Sequence, residues 1–523
     1  MPQFFARSKQ SETAAEPPPP PGGERANRCD DLPSKPNREI GTVLVSGATG
    51  YVGGRLVPEL IARGYRVRVL VRAASSEYKS RWPEAEIAVA EALHPKALKE
   101  AMRHVDVVYY LIHSLLLGPG KFESADIRSA VNFRLAAEAN RVKRIIYLGG
   151  LGDASQSLSP HLRSRTRVAQ ALSDGPIPVT ILRAAIIIGS GSASYEIIKY
   201  LIKNSPILPL PSWGRTRCQP ISIRDVIKYL VACLEVNRTV GRSYDIGGGE
   251  ILSYEQMIKK VANLLGKRRL FIRFPLSNIT AFAYFASLVT PVPAQITISL
   301  MKSLKNEVIC QSDSIKDLIP FGTIPFEVAI KRALYNERRD RIHTRWSDDY
   351  PRGYNLLPKL NQLEFPPEYA YTTELTTEKS LGSLYDSVCQ IGGKEGYFDN
   401  TWIWNLRGLL DRILMGVGGA RGRRSLRELR VNDVIGFWRV ETLQRNRLVL
   451  LRAEMKLPGR GWLKFKMQPE SGRNRLSVTA HFQANGLFGR IYWYALLPIH
   501  NIIIRNLAIQ IEKRSLPESG TEQ

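Results

Sequence analysis

The sequence predicts an α/β fold, a doubly wound parallel sheet with a small substrate subdomain, followed by a separate α+β domain. Three observations predict it. A glycine-rich turn at residues 47–53 stands between an apolar run and a helical pattern. From residue 42 onward, short β-branched runs alternate with helical stretches. Beyond about residue 366 that alternation gives way to consecutive strand-like segments closed by one long apolar helix. A chain of 523 residues also exceeds what one core accommodates, so more than one domain is expected.

Residues 1–40 carry a polyproline run from Pro17 to Pro21, then Gly22-Gly23 and mixed charges. Such a segment buries too little surface to offset its ordering entropy, and a disordered tail is expected. It lacks the apolar core of a secretory signal, and Glu12, Glu16 and Glu24 oppose an organelle transit peptide. Residues 41–335 form the first domain. Its opening strand at 42–46 is followed by a helix in which Leu56, Leu60 and Ile61 share a face. Further strands at 67–71, 87–89, 105–112, 145–148 and 179–182, separated by helical stretches, read as a parallel sheet with crossover helices. The subdomain begins near residue 189, with a strand at 243–246 and a helix at 254–265. Residues 279–300 are mostly apolar but contain Pro291 and Pro293, which suits core or a dimer surface better than a membrane span.

Residues 336–366 read as a linker that wraps a surface, and 367–515 as the α+β domain. There, helices are expected at 379–392 and 401–415, and strands at 434–441, 448–456, 462–468 and 476–483. A terminal helix at 488–513 should be interrupted near Pro498.

Composition narrows the function. With 44% hydrophobic and 23% charged residues the chain is neither largely disordered nor wholly membrane-embedded. Cys29, Cys218, Cys233, Cys310 and Cys389 never form a CxxC pair, which opposes a disulfide scaffold or zinc ribbon and suits a reduced, cytoplasmic protein. The count of 74 Lys+Arg against 48 Asp+Glu gives a formal charge of +26, so an anionic partner is expected: a phosphate cofactor or a lipid surface at which the protein is peripheral. Nucleic acid is disfavoured because no RNA-binding aromatic motif or zinc finger accompanies the charge. The arginine run from Arg421 to Arg430 is expected to be a solvated loop and helix, with anionic lipid or an acidic partner as its alternative use.

The turn Gly47-Ala48-Thr49-Gly50-Tyr51-Val52-Gly53 lies between strand and helix, the context in which a glycine pattern signifies dinucleotide binding. The first glycine permits the tight turn, the second lets the backbone approach a pyrophosphate, and the third lets helix and strand pack closely. Arg72 stands at the end of the second strand, where a carboxylate would bind a ribose 2′-hydroxyl. A cation there suits a 2′-phosphate, which favours NADP(H) over NAD(H); a solvated strand-end arginine is the alternative.

The turn, Arg72, Tyr147-Leu-Gly-Gly-Leu151, Ile223-Arg-Asp-Val226 and Tyr244-Asp-Ile-Gly-Gly248 together resemble the extended and atypical short-chain dehydrogenase/reductases, the NmrA-like branch with a Rossmann fold. The later part, with Phe437-Trp-Arg-Val-Glu441, Trp462 and Tyr492-Trp-Tyr494, resembles the uncharacterised domain fused behind such units, itself similar to the START-like helix-grip fold. That likeness implies a sheet curled round a long helix and an apolar cavity for a hydrophobic small molecule.

The family's Tyr-x-x-x-Lys pair is replaced here by His161-Leu-Arg-Ser-Arg165, and Gly149 and Gly150 stand where its serine is expected. Two readings stand. In one, His161 titrates near neutral pH and donates the proton that follows hydride transfer, while Arg165 binds ribose or phosphate. In the other, His161 is structural and the domain holds NADP(H) as a sensor or scaffold. His113, at the end of the fourth strand, is expected at the sheet edge where open α/β folds bind ligands. His481 and His500 are isolated and read as structural.

Overall fold

Val43, Leu44 and Val45 are fully buried because both faces of the first sheet are covered by helices. The computed structural model describes residues 29–515 apart from 73, 75, 114–121, 153–156, 274–277, 349–359, 361–362, 364, 393–400, 420 and 426–427. The first sheet contains β1 (Thr42–Val45), β2 (Arg66–Val71), β3 (Glu86–Val89), β4 (Val107–Tyr110), β5 (Arg144–Gly150), β6 (Val179–Ala184) and β7 (Ser243–Ile246). All are parallel, in the order β7-β6-β5-β4-β1-β2-β3. The order reverses between β1 and β4, and such a switch point opens a crevice at the carboxyl ends of the strands.

The helices that position the site are α1 (Gly53–Ala62), α2 (Phe122–Ala139), α3 (Pro160–Ser173), α4 (Ala193–Asn204), α5 (Ile223–Glu235), α6 (Ile279–Val289) and α7 (Ala294–Lys302). Helix α3 starts where it does because the Ser159 side chain accepts from the Leu162 amide and Pro160 occupies the first turn. The apolar stretch 279–300 is split by Thr290 to Pro293 into α6 and α7, and Ile296, Ile298 and Met301 of α7 enter the core.

Order begins earlier than expected. Cys29 and Leu32 are buried, and Arg63 donates to the Cys29 carbonyl at 2.9 Å and the Ser34 carbonyl at 2.7 Å while pairing with Glu235. Lys228 pairs with Asp31 at 2.6 Å. Two apolar anchors and a ring of ion pairs thus dock residues that composition assigns to the disordered tail. Residues 1–28 lie outside the described residues.

The second sheet comprises β8 (Tyr369–Thr377), β9 (Val434–Ile435), β10 (Trp438–Gln444), β11 (Leu448–Ala453), β12 (Gly459–Glu470) and β13 (Arg473–Ala484). It is antiparallel, ordered β8-β13-β12-β11-β10-β9. Strand β8 escapes sequence reading because its inward side, Tyr369, Tyr371, Thr373 and Leu375, is only half-buried and interrupted by threonine. The helices are α8 (Leu381–Cys389), α9 (Thr401–Ile413) and α10 (Gly486–Arg514). Leu384, Phe465, Val478, Ile504, Leu507 and Ile511 pack together between sheet and helices.

Two expectations are corrected here. Helix α10 runs unbroken through Pro498, which lies on the exposed side where no neighbour constrains the local bend. The arginine run is not solvated: Arg421, Arg423 and Arg424 are buried. Arg421 pairs with Glu454 at 2.7 Å, Arg423 donates to the Ile391 carbonyl, and Arg424 pairs with Asp433. Two of these partners, Glu454 and Ile391, lie more than thirty residues away, so the run looks like surface until the fold assembles them.

Candidate functional site

At the switch point the chain leaves β1 through Gly47, whose φ is +66°. A Cβ there would lie 2.6 Å from the Leu111 carbonyl oxygen, just beyond β4. At Gly53 a Cβ would collide with the Gly47 carbonyl, so α1 approaches β1 only because the side chain is missing. Val52 caps α1 without a side-chain hydrogen bond; the Gly54 and Arg55 amides donate to the Gly50 and Val52 carbonyls, and the positive end of the helix dipole lies at the turn. A helix start of this kind suits a phosphate.

A cavity of about 400 Å³ opens from this turn. Gly47, Gly50, Tyr51, Val52 and Gly53 line it, as do His113, His161 and Arg165. Its remaining walls are mainly apolar and include Ile198, Leu208, Trp213, Phe282 and Leu300. Thr49 and Arg72, both half-buried, are not among the lining residues; Arg72 directly follows β2.

His113 and His161 stack with ring centroids 5.2 Å apart and planes at 15°. Burial, aided by the adjacent Arg165 cation, pushes the His161 pKa down to about 3. The expectation that His161 titrates near neutral pH is therefore corrected: it is a neutral imidazole there. Arg165 forms a buried ion pair with Asp126 of α2, and its backbone carbonyl accepts from the Tyr147 hydroxyl at 3.1 Å. The glycines in the serine position have a steric reason. A Cβ at Gly150 would come within 3.2 Å of both Arg165 and Leu162, and one at Gly149 within 2.9 Å of the Tyr147 ring.

Several site residues escape sequence reading. Trp213 and Phe282 carry no local signal that brings them to the cavity, nor does Asp126 carry one that brings it to Arg165. Trp346 lines it from the expected linker, donating its indole N–H to Glu196 at 2.7 Å. Neighbouring Thr344 accepts from Arg55 through its carbonyl at 3.1 Å and donates through its hydroxyl to the Tyr51 carbonyl at 2.8 Å. Arg345 pairs with Glu196 and donates to the Arg423 carbonyl at 2.6 Å, which ties this strap to the second domain. A tryptophan inside a charged, loop-like stretch is the one signal that could have pointed here. The segment 189–193 does border the cavity through Ser192 and Ala193, whereas Gln219 bridges the Gly248 carbonyl and the Cys310 amide. His500 packs on Trp493 with centroids 5.1 Å apart. Among the described residues no cluster of His, Cys, Asp and Glu is arranged to hold a metal.

The chain is similar to several known proteins. The mitochondrial NADH dehydrogenase [ubiquinone] 1 alpha subcomplex subunit 9 of Arabidopsis thaliana is 24% identical over 295 residues, 53% of this chain and 73% of that protein. The ceramide reductase of Caulobacter vibrioides is 27% identical over 238 residues, covering 45% of this chain and 74% of its own length. Among solved structures, the Citrobacter sp. triphenylmethane reductase complexed with NADP(H) superposes with a TM-score of 0.45 at 20% identity, over 56% of this chain and 99% of that one. Residues 368–507 match a protein family of unknown function, DUF2867. Residues 39–320, more than half of the chain, match the model of the NmrA-like family, and to that family the chain belongs.

Proposed function

We propose that the protein is an NADP(H)-dependent oxidoreductase acting on an apolar carbonyl-type substrate without the usual Tyr/Lys pair. The observation that carries this reading is one cavity lined both by the glycine turn and by apolar side chains of the subdomain. The tight glycine turn between β1 and α1, with the positive end of the α1 dipole at it, fits a pyrophosphate. Bound nicotinamide dinucleotide supplies or accepts the hydride. Gly47, Thr49, Gly50, Tyr51, Val52 and Gly53 form its phosphate turn, Arg72 favours the 2′-phosphate of NADP(H), and His113 borders the reacting end. His161 contributes a hydrogen bond from a neutral ring, not an acid proton, and Arg165 is a fixed positive charge held by Asp126. A relative that bears the name ceramide reductase supports an apolar substrate. The helix-grip likeness of the second domain belongs to the same reading, with that domain shielding the substrate from water.

A second reading rests on a specific observation. Loss of Tyr, Lys and Ser, with His161 held neutral, suits an NADP(H)-binding sensor or scaffold that does not turn over. Both readings place the protein in the cytoplasm. Thermal melts in low-phosphate buffer test the shared part: NADPH should raise the Tm more than NADH does, and Gly50→Trp or Arg72→Glu should remove that rise. Steady-state assays across hydrophobic ketones, aldehydes and enones separate the two. Substrate-dependent NADPH oxidation that drops about tenfold or more in His161→Ala supports the enzyme. NADPH binding with no turnover supports the sensor.

A further inference from the structure

Helix α9 is built with its polarity reversed. The residues it turns inward include Gly408, Asp411 and Arg412, all buried. Asp411 accepts from the Gly418 amide at 2.8 Å and the Lys456 amide at 2.7 Å, while Arg412 donates to the carbonyls of Ser287 and Thr290. Outward it displays Trp402, Leu406, Leu409, Leu410 and Ile413, all about half exposed or more. Their spacing of four, three, one and three puts them on one helical stripe. A helix on a water-facing surface has the opposite arrangement.

Helix α10 continues the pattern. It is the described helix long and apolar enough to cross a membrane, but its second half, with Ile503, Ile504, Leu507 and Ile511, packs into the domain core. Its first half turns apolar side chains outward, with Leu487 73% exposed, Phe488 71% and Ile491 one turn on, and the exposed Ile502 follows just past the middle. The two helices meet at one turn. Lys456 donates through Nζ to the Leu414 carbonyl beside α9, and the Pro458 carbonyl accepts from the Asn485 amide at the start of α10. Tyr284 of α6, beside the exposed Phe285, donates to the Ile413 carbonyl at 2.9 Å, so the face extends onto the first domain.

We propose that this face docks on an anionic phospholipid bilayer, with α9 and the first half of α10 lying in the headgroup layer and not spanning it. Charge chooses the occupant. A second copy would bring another +26 to the contact, whereas an anionic surface is drawn to it. The cations at the face point the same way: Lys456 and Arg490 are exposed, Arg490 meeting the half-exposed Glu368 at 3.3 Å, and α10 carries Arg490 and Arg505 but no carboxylate before Glu512. Trp402 and Tyr494 supply the amphipathic rings that suit a headgroup layer.

The test is co-sedimentation of the full chain with vesicles of phosphatidylcholine alone or mixed with phosphatidylglycerol. Binding should be about tenfold or more stronger on the mixed vesicles and should weaken as salt rises. The double variant Leu406→Glu/Leu410→Glu should lose about tenfold in binding, and Leu487→Glu/Phe488→Glu should do the same independently, both with unchanged circular dichroism. No binding at low salt, equal binding to neutral vesicles, or binding retained in both variants would overturn the proposal. So would a stable dimer in sedimentation velocity that these substitutions disperse.

Discussion

Helices α5 and α9 are each thirteen residues long, and the protein uses them in opposite senses. Helix α5 is enclosed: Val226, Leu230, Val231 and Leu234 are fully buried, and its buried charges Asp225 and Lys228 are met by the Ile324 amide and Asp31. Helix α9 keeps its charges inside and its leucines outside. Hydrophobic periodicity therefore identifies a helix without saying which side faces the protein. What fixes the orientation of α9 is its set of partners, the Ser287 and Thr290 carbonyls and the Gly418 and Lys456 amides, which only an inward Arg412 and Asp411 can satisfy.

Substitutions can break that contrast. Leu230→Asp in α5 buries a charge with no counterion and should cost more than about 4 kcal/mol, read as loss of the folded baseline in urea titration. Next comes the acid limb. Burial works against the Glu454 carboxylate, yet Arg439 and Arg421 outweigh it and hold its pKa at about 2. Its stabilisation is complete above the ordinary value near 4.5 and disappears as pH falls toward 2. This is a loss of about 3 kcal/mol that Glu454→Gln should flatten in urea midpoints measured against pH. Asp411→Ala should cost about 2 kcal/mol by leaving the buried Gly418 amide and the half-buried Lys456 amide without their acceptor, despite removing a charge from a helix with a leucine stripe, as read in the urea midpoint. Leu406→Ala should change the urea midpoint by less than about 0.5 kcal/mol, because its side chain already faces outward.

The first domain was the more legible in sequence. Its glycine turn and the alternation of strands with helices encode a parallel sheet locally, and Gly47, Gly50, Tyr51, Val52 and Gly53 of the turn line the cavity there, whereas Thr49 does not. The cavity's other walls were not legible, since Trp213, Phe282 and Trp346 are brought together across more than a hundred residues. His161 shows the limit of motif alignment: its position could be named, but the ring's neutrality depends on burial and on Arg165 one helical turn away. In the second domain, the sequence predicts a helix at 401–415 and a solvated arginine run without showing that Asp411, Arg412, Arg421 and Arg423 turn inward, because most of their partners lie on other elements.

The strap around Trp346 has a consequence for how the molecule holds together. Glu196 accepts from both Trp346 and Arg345, and the same Arg345 reaches the backbone of the second domain at Arg423. The cofactor pocket and the trailing domain thus share a clasp made of single side chains. Free energy that a ligand releases by tightening that pocket can pass through this clasp to the trailing domain, and the expected sign is a ligand that raises the melting temperature of both halves together.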